Sequence, residues 1–137
     1  MRYLAIDHGQ KRTGLAISDA SETLVSPHSV IATANPQELL RQILIVLDTE
    51  EIDAIVVGLP MNMDDTEGPR ARQVRQFVLT LQQRTNKPVD LHDERLSSFE
   101  AEHLTGSLEL TRKKKKKRLD AIAAAAILRS FFEQKNR

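Results

Sequence analysis

Apolar residues near the N-terminus fall in short segments separated by turn residues, a pattern typical of β-strands. Three such segments span residues 2–7, 15–19 and 25–32, with Gly9 and Gly14 in the first connection. Because the connections are short, we expect the three strands to pair as antiparallel neighbours. The pattern therefore predicts a three-strand meander at the start of the chain.

Helical and strand-like patterns alternate after the meander. Asn35 and Pro36 provide an N-cap and a proline at the first helical position, and apolar residues continue at helical spacing to Leu47. Residues 52–59 are almost all apolar, which is typical of a strand covered on both faces of a parallel sheet. A second amphipathic helix begins near residue 67, and its arginines lie largely off the apolar face. This region therefore predicts a helix, a buried strand and another helix.

The C-terminal third continues the alternation. Residues 87–92 predict a strand, Ser97 and Glu100 form a capping box for a short helix, and a last helix is expected over residues 119–133. The order β-β-β-α-β-α-β-α-α predicts an α/β fold with a central mixed five-stranded sheet. In that sheet the antiparallel meander is followed by parallel strands, and helices cover both faces. Residues 1–137 are expected to form a single domain.

Composition excludes several classes of site. The chain of 137 residues has no cysteine, which removes disulfides, zinc–thiolate sites and cysteine nucleophiles and suits a reducing environment. Its longest apolar run, residues 121–128, is far shorter than the ~20 residues of a membrane span, and no export signal is visible. We therefore expect a cytoplasmic protein with no membrane contact.

Charge is distributed unevenly along the chain. Residues 1–110 hold 10 Lys and Arg against 17 Asp and Glu, whereas residues 111–137 hold 10 against 2. Most of the excess forms one basic block: Arg112, Lys113, Lys114, Lys115, Lys116, Lys117 and Arg118. Such a block is either a solvated loop or a surface that binds a polyanion. Cations immediately before a helix oppose its macrodipole, so helix stability does not explain the block.

Three carboxylates stand where a sheet of this kind binds ligands. Asp7 closes the first strand, Glu94 follows the strand that ends at His92, and Asp120 lies in the first turn of the terminal helix. Ligands bind beyond the carboxyl ends of parallel strands. Taken singly, Asp7 also suits an Asx-turn, Glu94 an exposed loop, and Asp120 a helix start.

Taken together, the three acids predict a metal site. Carboxylates brought together from two strand ends and a helix repel one another unless a cation neutralises them. Hard oxygen ligands suit Mg²⁺ or Mn²⁺, and such ions promote phosphodiester hydrolysis. An acidic cage with a polyanion-binding block favours a nuclease.

The residues around these acids resemble the YqgF family, which comprises pre-16S ribosomal RNA nucleases related to Holliday junction resolvases. The resemblance covers essentially the whole chain. It is carried by DHGQKRTGLA at 7–16, SD at 18–19, GLP at 58–60 with Asn62, DERLSS at 93–98, and Asp120 with the following Ala123-Ala124 and Ile127-Leu128.

The resemblance implies a ribonuclease H-like fold, which matches the predicted order of elements. The acidic positions of the family fall on Asp7, Glu94 and Asp120. Two departures are seen: Asp65 stands where the family usually has glycine, and Ser98 where it commonly has threonine. Because glycine adopts positive φ freely, Asp65 puts the shape of the loop after Leu59 in question.

Further cations near the acids are candidates for phosphate contacts. Lys11 and Arg12 lie at the tip of the loop after Asp7, where they either contact a phosphate or are simply solvated. Arg95 either contacts nucleic acid or orients a carboxylate. Aromatic residues make up only 4% of the chain, so we expect recognition through backbone and shape rather than base stacking.

The leading hypothesis is a metal-dependent endonuclease that hydrolyses phosphodiester bonds in structured nucleic acid, with 5′-end processing of precursor 16S ribosomal RNA favoured. One alternative is a Holliday junction resolvase acting on branched DNA, which needs two active sites and hence a homodimer rather than a monomer. A second is a non-catalytic RNA-binding factor in ribosome maturation or transcription. A third is phosphotransfer, because the loop after Asp7 resembles the first phosphate loop of actin-like ATPases, although one domain is too short for that architecture.

Overall fold

The computed structural model describes residues 1–97 and 112–136. The elements in these ranges are β1 (Tyr3–Asp7), β2 (Arg12–Ser18), β3 (Val25–Ala32), α1 (Pro36–Thr49), β4 (Ala54–Leu59), α2 (Pro69–Arg84), β5 (Val89–Asp93), a 3₁₀ turn (Glu94–Leu96) and α3 (Arg112–Lys135). Within the described ranges no helix is long and apolar enough to cross a bilayer.

The strands form one five-stranded sheet in the order β3-β2-β1-β4-β5. β2 pairs antiparallel with both β1 and β3, whereas β4 pairs parallel with both β1 and β5. The predicted mixed sheet, with a meander followed by parallel strands, is confirmed. Because β1, β4 and β5 run in the same direction, their carboxyl ends meet at one edge of the sheet.

Helices cover both faces of the sheet, as predicted. Side chains alternate along β1, so Leu4 and Ile6 are buried with α1 and α2, while Tyr3 and Ala5 are buried with α3. The face beneath α3 carries small side chains, including Ala5, Ala16 and Ala54, which meet Ala124 and Ala125 of the helix. These small residues allow α3 to pack closely on the sheet, and the alternation places Asp7 on the α3 side.

The start of α1 follows the predicted capping pattern. The Asn35 side chain accepts hydrogen bonds from the backbone N–H groups of Gln37 and Glu38, at 2.9 and 3.1 Å, and Pro36 occupies the first helical position. The helix buries Leu39, Leu40, Ile43 and Leu47 against the sheet. Local sequence signals therefore suffice to place this element.

The last helix begins earlier than predicted. α3 starts at Arg112 rather than near residue 119, so the basic block forms its first two turns. Lysine and arginine have high helix propensity, and here that preference outweighs the opposing macrodipole. The short helix predicted after Ser97 lies outside the described residues.

Candidate functional site

The three predicted acids lie at the edge of the sheet where the parallel strands end. Asp7 ends β1 and Glu94 directly follows β5, while Asp120 comes from α3. β4 lies between β1 and β5, so Asp7 and Glu94 start two strand spacings apart, about 10 Å. Glu94 therefore has to extend across β4 to reach Asp7.

Gly58 of β4 provides the space for this crossing. A Cβ at Gly58 would lie 2.6 Å from Glu94 Oε1 and 2.6 Å from Ile127 Cδ1. Any side chain at this position would displace the Glu94 carboxylate or α3. The glycine between the two acidic strands thus permits the carboxylates of Asp7 and Glu94 to meet.

A second glycine brings α3 onto the sheet. Gly14 of β2 pairs with Asp7 in the strand register, and a Cβ at Gly14 would lie 1.9 Å from the backbone oxygen of Asp120. The helix backbone therefore occupies the space of a missing side chain. This contact fixes the depth of Asp120 beside Asp7.

This environment strongly shifts the pKa of the Asp7 carboxyl group. Burial, a hydrogen bond with Glu94 and the negative charges of Glu94 and Asp120 raise the pKa of Asp7 from 3.8 to about 8, against the positive charge of Arg70. A hydrogen bond between two carboxyl groups requires a proton on one of them. At neutral pH, without a cation, Asp7 therefore holds a proton that it donates to Glu94.

Asp120 is partly neutralised by Arg12. Arg12 Nε lies 2.9 Å from Asp120 Oδ2, and burial raises the pKa of Asp120 while Arg12 opposes that shift. Asp120 Oδ2 is a buried atom without a hydrogen-bond partner among the described residues. The two groups are therefore close but poorly aligned for a hydrogen bond. Arg12, which is the first residue of β2 rather than part of the loop tip, thus contacts one of the acids, and its contact with a phosphate stays a prediction.

The donor set fits a hard divalent cation, although the acids do not form a finished cage. Within residues 1–97 and 112–136, no three Asp, Glu or His side chains are close enough together to hold a metal ion. Burial and the neighbouring acids keep Asp7 protonated, and Asp120 Oδ2 lies close to Arg12 but lacks an aligned hydrogen-bond donor. Carboxylate oxygens are the ligands that Mg²⁺ and Mn²⁺ prefer, so the chemistry of Asp7, Glu94 and Asp120 suits such a cation, which would have to draw the three side chains closer and replace the proton on Asp7.

Arg95 is engaged in holding a loop. Its guanidinium forms a bidentate pair with Asp93, at 2.7–3.1 Å, and donates to Asp65 Oδ1 and the Asn62 backbone oxygen, both at 2.9 Å. Asp65 adopts φ 68°, a left-handed conformation that glycine would adopt more freely. The contacts favour the interpretation in which Arg95 orients carboxylates, and they attach the loop after β4 beside Glu94.

The other predicted cations lie in two further segments of the chain. Lys11 is exposed at the tip of the β1–β2 loop. The basic block, Arg112–Arg118, has a helical backbone at the start of α3, the helix that carries Asp120 at its next turn. Both positions are near the acids along the chain.

Sequence reasoning missed Arg70 and the two glycines under the acids. Arg70 was predicted only to lie off the apolar face of α2, yet its Nη2 donates to the His8 backbone oxygen at 2.7 Å and its charge acts on Asp7. Gly14 and Gly58 are not in turns, and their roles depend on groups that are remote in the sequence. Gly14 was predicted to lie in the first connection, whereas the structure places it inside β2, and only Gly58 stood within a predicted strand, where a glycine signals a close approach.

This sheet order, with acids converging at the ends of parallel strands, defines a domain of the ribonuclease H-like class. A family model described as "RuvX: Holliday junction resolvase" matches residues 1–134. The chain belongs to this family of resolvase-like nucleases, and the resemblance to the YqgF family is confirmed.

Relatives and solved structures agree with this assignment. Proteins named "Putative pre-16S rRNA nuclease" from Halothermothrix orenii and Anaplasma marginale are 39% and 41% identical, over 100% and 96% of this chain and 98% and 84% of theirs. Thermus thermophilus RuvC in complex with a Holliday junction substrate matches with TM-score 0.61 and 17% identity, covering 99% of this chain and 96% of that one. The fowlpox virus resolvase, in complex with Holliday junction DNA, matches with TM-score 0.62 and 15% identity over 100% of both chains. At these identities the structural matches establish the fold.

Proposed function

We propose that this protein is a metal-dependent endonuclease that hydrolyses phosphodiester bonds in structured nucleic acid. The observation that carries the proposal is the convergence of Asp7, Glu94 and Asp120, in which burial and the acidic neighbours raise the pKa of Asp7 so that it keeps a proton at neutral pH. Such a cluster is unfavourable in a protein that only needs to fold. A cation that binds during function would offset the repulsion between the acids, which explains why they lie together.

Asp7, Glu94 and Asp120 would hold Mg²⁺ or Mn²⁺. The bound ions would supply an activated water and stabilise the leaving oxygen of a phosphodiester. The chain contributes the positions of the three carboxylates, which Gly58 and Gly14 allow to approach one another. Arg12 pairs with Asp120, and when a cation takes over the charge of that carboxylate, the Arg12 guanidinium would become available to a phosphate at the same place.

The cations around the acids suit a nucleic acid backbone. Lys11 is exposed on the loop after Asp7, and the basic block begins the helix that carries Asp120. Both segments supply positive charge that contacts phosphates without reading the sequence. Arg95 has a supporting role in this proposal, since its described contacts are with Asp93 and the loop after β4.

Precursor 16S ribosomal RNA, cut near its 5′ end, is the substrate that we favour, with the cytoplasm as the place of action. The names of relatives that match essentially the whole chain support this choice. A second candidate is a four-way DNA junction, supported by the description of the family model. Cutting a junction symmetrically requires two active sites, so this candidate also requires a homodimer.

The test is a cleavage assay with Mg²⁺ or Mn²⁺ on a precursor ribosomal RNA fragment and on a DNA four-way junction. Wild type is compared with Asp7→Asn and with Asp48→Asn, a matched change at an exposed position on α1. We expect wild type and Asp48→Asn to cut the RNA, and Asp7→Asn to bind it without cutting. Sedimentation of the protein alone gives the oligomeric state.

Each outcome separates the alternatives. Cleavage of the junction alone, by a dimer, would favour the resolvase. Binding of RNA by both wild type and Asp7→Asn with cleavage by neither would contradict the nuclease assignment and favour a non-catalytic factor. Cleavage that persists in Asp7→Asn would refute the role assigned to Asp7.

A further inference from the structure

A cleft of about 450 Å³ lies between α1 and α2, on the sheet face opposite α3. The loop after Asp7 forms one wall through His8 and Gln10, and Asn35, Arg70, Gln76 and Phe77 contribute to the others. The volume is within the range of about 300–1,000 Å³ that is usual for small-molecule sites. No function assigned above uses this cleft.

One wall of the cleft is aromatic and held in place. The rings of His8 and Phe77 pack with centroids 4.6 Å apart and planes inclined by 30°. Arg70 Nη2 donates to the His8 backbone oxygen at 2.7 Å, and the same guanidinium also contacts Gln73 Oε1. The wall therefore joins the start of α2 to the loop that carries Asp7.

The polar groups around the cleft suit a nucleobase attached to a phosphate. Among the described residues that line it, Arg70 is the permanently charged one, and the other polar side chains are the imidazole of His8, amides and hydroxyls. Amides offer both donors and acceptors, as the edges of bases require. A lining without carboxylates does not repel a phosphate.

The cleft lies close to the proposed cleavage site, although the Asp7 side chain itself is on the α3 side of the sheet. His8, Gly9 and Gln10 line the cleft and directly follow Asp7 in the chain, and the charge of Arg70, which also lines the cleft, acts on Asp7. A substrate strand bound at the acids would therefore be the nearest ligand for the cleft.

We propose that this cleft binds one unpaired nucleotide of the substrate strand, with its base against the wall formed by His8 and Phe77 and its phosphate near Arg70. This inference rests on the proposed nuclease function. Sequence analysis predicts recognition through backbone and shape, and the cleft adds one aromatic contact to that mode. It directs the enzyme to single-stranded positions beside the cut.

The test is a two-dimensional ¹H–¹⁵N NMR titration of the metal-free protein with adenosine or cytidine monophosphate, and in parallel with ribose 5-phosphate, which lacks a base. We expect saturable shifts of the backbone amides of Gln73, Gln76 and Phe77 with at least one nucleotide, and no such shifts with ribose 5-phosphate. Phe77→Leu, which keeps an apolar side chain, should weaken nucleotide binding at least about fivefold. Leu79→Ala, on the exposed side of α2 and outside the cleft, should leave it unchanged.

The outcome is distinguishable from failure of the proposed function. Cleft shifts in a protein that cuts no nucleic acid would retain the nucleotide site and refute the nuclease. Cleavage without cleft shifts would refute the nucleotide site alone. Equal shifts with ribose 5-phosphate, or an unchanged affinity in Phe77→Leu, would also overturn the proposal.

Discussion

Asp7→Asn is expected to make the metal-free protein more stable at alkaline pH. The carboxyl group of Asp7 is buried beside Glu94 and Asp120, and its pKa rises from 3.8 to about 8 in the folded protein. Between these values the folded protein holds a proton that the unfolded chain has released. The free energy of unfolding of wild type therefore falls as the pH rises from about 4 to about 8.

The size of the effect follows from the pKa. A difference of about four in pKa is equivalent to at most about 5–6 kcal/mol, since each unit corresponds to about 1.4 kcal/mol. The side chains around Asp7 relax when the proton is lost, so we expect a net loss of about 3 kcal/mol, below this upper bound. Asparagine is neutral at every pH and its NH₂ group can donate to Glu94 in place of the proton. The variant should not show this loss.

The assay is urea unfolding in the presence of a chelator, at intervals from pH 5 to pH 9. The stability of Asp7→Asn relative to wild type should increase by about 3 kcal/mol over this range, while Asp48→Asn should follow wild type. A difference that stays constant with pH, or that moves in the other direction, would refute the description of Asp7 as protonated in the folded protein.

The same two proteins test whether a divalent cation binds at Asp7. Because a metal must displace the proton on Asp7, Mg²⁺ should raise the melting temperature of wild type more at pH 8.5 than at pH 6. Asp7→Asn lacks one carboxylate, so Mg²⁺ should raise its melting temperature only slightly at both pH values. Equal responses of wild type and Asp7→Asn would place the cation elsewhere.

Three further predictions concern single contacts. Gly58→Ala should reduce cleavage at least about tenfold, because its Cβ would displace Glu94, while circular dichroism shows a retained fold. Thr13→Val should stabilise the protein by about 1 kcal/mol in urea unfolding, since Thr13 Oγ1 is buried without a hydrogen-bond partner in the described part of the chain. Ser130→Ala should cost about 1–2 kcal/mol in the same experiment, because it removes the 2.8 Å partner of the buried His92 Nε2.

Elements with agreeing local signals were predicted correctly. The first helix has a cap, a proline and an apolar face that all indicate the same start, and Asn35 caps it as expected. The apolar run before Gly58 has no polar face, so it predicts a strand buried on both sides, and every residue of β4 is buried. The acids could be located because strand ends follow from these patterns.

The start of α3 was predicted wrongly because two local rules conflict there. Lysine and arginine favour a helical backbone, whereas positive charge at a helix N-terminus opposes the macrodipole. The macrodipole effect fades beyond the first turn, so it destabilises the helix only through the first few of the seven cations. The sum over the block favours the helix that the structure has.

Contacts between distant parts of the chain could not be predicted from a single sequence. Arg70 meets the backbone of His8 across 62 positions, and Arg95 meets Asp65 across 30. The contact of Arg12 with Asp120 joins the first loop to the last helix. No local pattern selects these partners, since many other carboxylates and carbonyl groups would satisfy an arginine equally well.

The direction of the pKa shifts distinguishes the site from the rest of the surface. Hydrogen bonds hold the pKa of Glu38, Glu67 and other carboxyl groups below the usual range, chiefly through Arg41 and Arg75 in these two cases. Among the described carboxyl groups, the pKa is raised at Asp7 and Asp120, which are two of the three proposed ligands. An acid that served only the fold would gain from a cationic partner, as Glu38 and Glu67 do. The site instead keeps Asp7 against Glu94 and Asp120, with Arg12 paired to Asp120 and a run of cationic residues at the start of the neighbouring helix, and a divalent cation with a phosphate strand would neutralise both sets of charges.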